Sequence, residues 1–299
     1  MRFPVYFLRC RIIKLVGLLL LAGFLQACSF VKVAYNQAPE LAYLYLDSYI
    51  DFNGTQSIQI KDELTKLQAW HRRTQLSLYI DTLQKFQRQI PSGMDATQAC
   101  ELFADVRLKL LAVSDYAEPA VLALAGTLSP EQLTRMERKF AKGNADYVDD
   151  FIEATPKASR KKRYKRAVSR AEMLYGSLGD QQLDVIGQSI DQSRFDARLS
   201  YAERLRRQRD ALESLRLLVA SKSAGTDTPE KTRTVIRALF DRLINSPSAA
   251  YREQLEKMTL DTCKSFADLH NSTTPAQRAR AVEILKGYEN DMKTLIAKN

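Results

Sequence analysis

The sequence predicts an all-α protein, an elongated antiparallel bundle of about eight or nine helices. Three observations carry this expectation. Glycine and proline are sparse, 11 and 9 in 299 residues, and the breaks they supply fall between long segments. Within those segments apolar residues recur at spacings of three and four, the period of a helix with one buried face. Helix starts are marked by a cap residue with a glutamine three positions on, so that the two side chains can satisfy backbone amides reciprocally. No stretch alternates with period two for long enough to make a strand.

The chain opens on Arg2, Arg9, Arg11 and Lys14, followed by an apolar run from Leu15 to Leu25, with no acidic residue before Glu40. This is the anatomy of an export signal. The run is about half of the 20 or so apolar residues a spanning helix needs, so residues 1–27 are expected to be removed. At their end Leu25-Gln26-Ala27-Cys28 resembles the lipobox of bacterial lipoprotein signal peptides, although Gln26 departs from the small or aliphatic residue usual there. The resemblance implies cleavage before Cys28 and lipidation of that cysteine. With Ser29 rather than Asp following, it also implies sorting to the outer membrane, facing the periplasm. The three acyl chains of such proteins hold firmly, each buried CH₂ contributing about 0.8 kcal/mol.

Helices are expected at 35–51, 55–90, 95–125, 129–154, 158–177, 180–221, 229–246, 248–270 and 275–297. Asn53-Gly54-Thr55-Gln56 opens the second, whose stripe runs Ile60, Leu64, Leu67, Trp70-His71, Leu76, Ile80, Leu83, Phe86, Ile90. Ser129-Pro130-Glu131-Gln132 opens the fourth, with Pro at the first helical position and the stripe Leu133, Met136, Phe140, Tyr147, Phe151. Gly179-Asp180-Gln181-Gln182 opens the sixth, along Leu183, Ile186, Ile190, Leu205, Leu212, Leu215 and Val219. Thr274-Pro275-Ala276-Gln277 opens the last, along Leu285, Tyr288, Met292 and Leu295. Four similar starts suggest a loosely recurring helical unit. The one composition break, residues 222–228, would separate an N-terminal bundle (28–221) from a C-terminal three-helix segment (229–299) that either stands apart or packs into one domain with it.

Leu128-Ser129-Pro130-Glu131-Gln132 and Thr273-Thr274-Pro275-Ala276-Gln277 resemble the LTxxQ motif of the Spy and CpxP family of periplasmic helical proteins, which includes chaperones and stress regulators; capping accounts for the same residues without shared function. Ala34-Tyr35-Asn36, then Leu46-Asp47-Ser48-Tyr49-Ile50-Asp51, then Trp70-His71-Arg72-Arg73 together resemble a family of uncharacterised helical lipoproteins. That resemblance implies a fold and a location, and no activity.

A hairpin turning near Asn53 would set residue 36 against residue 70, and so Tyr35-Asn36 opposite Trp70-His71. A polar cluster of Tyr35, Asn36, His71 and Arg72 or Arg73 is expected there, close to the anchor. It serves either to hold hairpin register or to meet lipid phosphate or a partner's carboxylate, for which arginine is well suited. Asp47 and Asp51, four apart on one face, repel and call for a partner. Asp62 and Glu63 beyond the turn lack the His or Cys that would extend this pair into a metal site.

Formal charge is +10, of which four positive charges belong to residues 1–27, leaving +6 from Cys28 onward. That balance favours anionic surfaces without naming a ligand, and nucleic acid is not expected in the periplasm. The densest charge is Arg160, Lys161, Lys162, Arg163, Lys165 and Arg166, with Arg170 beyond. It reads either as a docking patch or as a solvated helix with Tyr164, Val168 and Ala171 inward, neutralised by Asp146, Asp149, Asp150 and Glu153. Of four cysteines, Cys10 would leave with the signal and Cys28 would be lipidated. Cys100 and Cys263 remain, either as a disulfide on the order of 4 kcal/mol or as two buried thiols.

Gly-x-Ser-x-Gly, His-Glu-x-x-His, phosphate-loop and Cys-x-x-Cys motifs are missing, and the histidines are His71 and His270 alone. No catalytic residue, metal or cofactor is expected. The sequence thus leads to an outer-membrane lipoprotein acting by binding, its partners the membrane through its lipid and an envelope protein or anionic envelope polymer. The alternative is a Spy- or CpxP-like chaperone, which would need a concave basic and apolar surface.

Overall fold

The computed structural model describes residues 31–297, so the signal segment 1–27 and Cys28 lie outside the described residues. Among these the chain is all-α, with eleven α-helices, one π-helical turn and no strand. After a helical stretch at 31–36, the helices are α1 (Ala38–Ile50), α2 (Gly54–Thr74), α3 (Leu76–Gln89), α4 (Ala96–Ala125) and α5 (Pro130–Tyr147). They continue with α6 (Pro156–Tyr175), α7 (Asp180–Gln192), α8 (Ala197–Ser223), α9 (Pro229–Ile244), α10 (Ala249–Asn271) and α11 (Pro275–Ala297). No helix among the described residues is long and apolar enough to cross a membrane.

Twelve elements stand where eight or nine were expected, because three of the expected helices are interrupted. The 55–90 helix breaks at Gln75, which closes α2 and opens α3 with φ −102°. The 129–154 helix loosens into a π turn over Val148–Ile152. The 180–221 helix is cut at residues 193–196, where Ser193 is extended (ψ 132°) and Asp196 caps α8 by accepting from the Leu199 amide. The gap in that helix's apolar stripe between Ile190 and Leu205 marks this cut.

At about 1.5 Å per residue, the 30 residues of α4 extend about 45 Å and pass through three hydrophobic cores. One core gathers Phe86, Ile90, Tyr175, Ile186, Leu269 and Leu285 from α3, α6, α7, α10 and α11. A second gathers Ile50, Leu128, Leu133, Met136 and Leu212 around α1, α5 and α8, and a third joins Ala125 of α4 to Leu218 of α8 and Ile236 of α9. Helices α10 and α11 pack on α4 and α3, and α9 packs on α8 and α4. A disulfide joins Cys100 on α4 to Cys263 on α10, Cα atoms 5.2 Å apart.

The four glutamine starts are paired two by two. The carboxamides of Gln56 and Gln132 bond to each other in both directions (2.6 and 3.2 Å), while each oxygen accepts its own cap amide, from Asn53 and Ser129. Each nitrogen also donates across to a carbonyl five residues before the other glutamine, Gln56 to Thr127 and Gln132 to Asp51. Gln182 and Gln277 repeat the arrangement at 2.6 and 2.9 Å, with Gly179 and Thr274 as caps and Ser272 and Ser177 as the carbonyls. The recurring unit is thus a helix N-terminus with the turn that precedes it, and two such turns meet at each glutamine pair. Every hydrogen-bonding position of these amides is used, as burial requires.

Candidate functional site

Near the start of the described chain, the turn between α1 and α2 sets the register of a polar cluster. Asp51 takes the left-handed conformation (φ 61°) that ends α1, and Asn53 caps α2. Thirty-six residues then separate each facing pair: the Tyr35 hydroxyl lies 3.0 Å from His71 Nδ1, and Arg72 Nη2 donates to Asn36 Oδ1 at 2.8 Å. His71 Nε2 meets the Tyr79 hydroxyl at 3.2 Å. Burial pushes the His71 pKa down, so the ring is neutral and one tyrosine donates while the other accepts. The Arg72 guanidinium also lies 5.5 Å from the Tyr35 ring centroid.

Trp70 turns away from this group to stack on Tyr116 of α4, centroids 4.2 Å apart, and Arg73 is exposed. Asp47 accepts from the Phe52 amide at 2.8 Å, and Asp51 pairs with Arg135 at 3.1 Å. These are the partners the two carboxylates called for. Asp62 and Glu63 both bond Lys66, and no cluster of three metal-ligating side chains stands among the described residues. These bonds tie residues 31–36 to α2 and α3, while Arg72 Nε is buried without a hydrogen-bond partner among the described residues.

The basic run begins just inside α6, which opens at Thr155-Pro156 with Thr155 accepting from the Ala158 amide. The structure divides its charges. Arg160 forms a two-pronged pair with Asp191 of α7, Lys162 pairs with Asp150, and Lys161 and Lys165 are exposed. Asp150 is the one member of the expected acidic group that answers the run, since Asp146, Asp149 and Glu153 form no ion pair among the described residues. Arg163, Arg166 and Arg170 lie at spacings of three and four, on one face of α6, and line an open cavity of about 500 Å³ between α6, α7 and α10. Beside them on α6 run Ala167, Ala171, Leu174 and Tyr175, which carry on the inward stripe expected from Tyr164, Val168 and Ala171.

None of these three arginines forms an ion pair with a described carboxylate. Arg163 lies over Phe195 at 5.0 Å and Arg166 over Phe151 at 5.7 Å. Burial lowers the Arg163 pKa, although not enough to remove its charge. The one carboxylate at the cavity wall, Asp261, is already held by Arg194 through its side chain and backbone amide.

Other ionised side chains are locked inside the protein. At Glu203 burial raises the pKa, but hydrogen bonds from Arg206, Arg207 and Ser246 outweigh it and hold the carboxyl at about 2. Lys293, Gln84 and Gln87 do the same to Glu289, again at about 2. Buried His270 accepts from the Tyr175 hydroxyl through Nδ1 (2.9 Å) and donates from Nε2 to the Ser92 carbonyl (2.8 Å). Sequence reasoning named none of these networks. The single cue was the scarcity of histidine, each of the two being bonded to tyrosine.

Fold and site define an all-helical protein with an arginine-rimmed apolar cavity. The chain belongs to a family of unknown function, DUF6279, whose pattern matches residues 48–228. The match takes in Trp70-His71-Arg72-Arg73, the basic helix α6 and one whole glutamine pair; it leaves out Ala34-Tyr35-Asn36 and helices α9 to α11. No curated protein and no solved structure matches the chain.

Proposed function

We propose that this protein is a lipoprotein anchored through Cys28 to the outer membrane, facing the periplasm, and that it acts by binding an anionic component of the envelope. The observation behind this reading is the trio Arg163, Arg166 and Arg170, three guanidinium groups on one helix face without a carboxylate partner at an apolar cavity. Arg163 is partly desolvated, a setting in which an arginine is ordinarily paired, and the exposed Arg166 and Arg170 add their charge beside it. The strongly shifted carboxylates Glu203 and Glu289 support binding over catalysis, because both are consumed by internal partners. In-cell crosslinking from a photoreactive residue at position 166 tests the reading. Repeated capture of one envelope component supports it, and an unmodified protein counts against it.

A second reading, a chaperone, draws on the exposed Leu41, Leu44 and Tyr45 of α1, 54 to 64% exposed, which sit at helical spacing on one face. Suppression of aggregation of an unfolded client by the purified protein, lost on changing these three to serine, would favour it.

A further inference from the structure

We infer that the cavity between α6, α7 and α10 is a binding site for an anionic amphiphile, a single apolar chain with a carboxylate or phosphate head. Its floor is apolar, built from Leu174, Ile186, Ile190, Phe266 and Leu269. A volume of about 500 Å³ falls within the range of small-molecule sites. Its mouth carries Arg163, Arg166 and Arg170, whose planar fork of donors matches carboxylate and phosphate oxygens two at a time.

The nearby carboxylates form no ion pair with this trio, although Asp191 lies close enough to Arg163 to offset part of its charge. Asp191 is occupied by Arg160, Asp150 by Lys162 and Asp261 by Arg194. Phe195 and Phe151 support the guanidinium groups of Arg163 and Arg166 from one face. An aromatic ring restricts an arginine's motion without neutralising it, so donors remain for an incoming anion. An apolar floor with a cationic rim suits a molecule of matching polarity: a neutral lipid would leave the arginines unanswered, and a small hydrophilic anion would leave the floor wet.

This rests on the binding reading above. The test uses the full chain in zwitterionic phosphatidylcholine nanodiscs, probed with hexadecanoic acid carrying a photoreactive diazirine, at alkaline pH where the carboxylate is ionised. The expected adducts fall on peptides of α6, α7 and α10 that line the cavity. The same diazirine chain ending in an alcohol labels them about tenfold less, the loss of one charge-assisted hydrogen bond. Hexadecyl phosphate competes; inorganic phosphate alone does not. Arg166→Gln and Arg170→Gln, at exposed positions that leave folding intact, each weaken labelling severalfold, and Arg163→Gln added to both abolishes it. Equal labelling by acid and alcohol, adducts outside the cavity, unchanged labelling in the arginine variants, or displacement by inorganic phosphate would each overturn the amphiphile. Capture of an envelope partner at position 166 together with any of those results would discard the ligand and leave the binding reading standing.

Discussion

Replacing Gln132 by alanine opens a closed ring of amides. The Gln132 carboxamide accepts from the Ser129 amide (2.9 Å) and Gln56 Nε2 (3.2 Å), and donates to Gln56 Oε1 (2.6 Å) and the Asp51 carbonyl (3.1 Å). Gln56 and Gln132 are 2% and 8% exposed, so water does not readily replace what is lost. With about 1 kcal/mol for each net hydrogen bond, and more for a buried group left unpaired, the variant loses about 3 kcal/mol or more. That corresponds to a drop in Tm of roughly 6 to 12 °C. The comparison is Gln98→Ala: Gln98 completes the Asp95 capping box at the start of α4 and bonds no second glutamine, so it costs about 1 kcal/mol. Thermal unfolding followed by circular dichroism separates the two. Adding Gln56→Ala should cost less than it does alone, with a coupling of at least about 1 kcal/mol. If Gln132→Ala costs no more than Gln98→Ala, the ring is not a stabilising unit.

Acid should destabilise the protein in two windows. Glu203 and Glu289, held at about 2 in the fold against 4.5 when free, give stability that is complete above about pH 4.5 and lost as pH falls toward 2, by roughly 1 to 3 kcal/mol each; Glu289→Gln should flatten the urea midpoint in that range. The pKa of His270 is lowered by burial, so its contribution is lost earlier, as pH falls below about 6.5, and Tyr175→Phe should remove the bond to it at a cost of about 1 kcal/mol. Reducing Cys100–Cys263 should lower stability by on the order of 4 kcal/mol, read as a fall in urea midpoint in dithiothreitol, and Cys100→Ser should abolish the effect. Changing Cys28 to serine should move the protein from the membrane fraction to the soluble periplasm; persistent membrane association would refute lipid anchoring.

Local signals with a direct physical mechanism were legible. The cap-and-glutamine starts at Asn53, Ser129 and Thr274 mark helices because cap side chain and glutamine satisfy the amides of the helix start, while at Gly179, which has no side chain, only Gln182 bonds back to the cap amide. The hairpin register about Asn53 placed Tyr35 and Asn36 opposite the Trp70-His71-Arg72 segment because a short turn fixes what faces what. The reciprocal pairing of the glutamines was not legible, since residues 56 and 132 meet only through the packing of α1, α2, α4 and α5. The kink at Gln75 carries no proline or glycine, and nothing in its neighbourhood spells it. Arg160 and Arg163 look alike in sequence; whether Asp191 lies within reach of one or the other is decided by how α7 docks on α6. The same docking turns part of a charge run into the rim of a cavity.

The central claim, that the α6 cavity and not the Tyr35–His71–Arg72 cluster is the binding surface, is tested most directly by hydroxyl-radical footprinting of the protein in intact envelopes against the purified full chain. Phe151, Phe195 and Met258, which line the cavity, should be protected in the envelope, while Trp70 and Tyr116, stacked on each other away from it, should react equally in both. Protection of Trp70 and Tyr116 with unchanged reactivity at Phe151, Phe195 and Met258 would contradict the account.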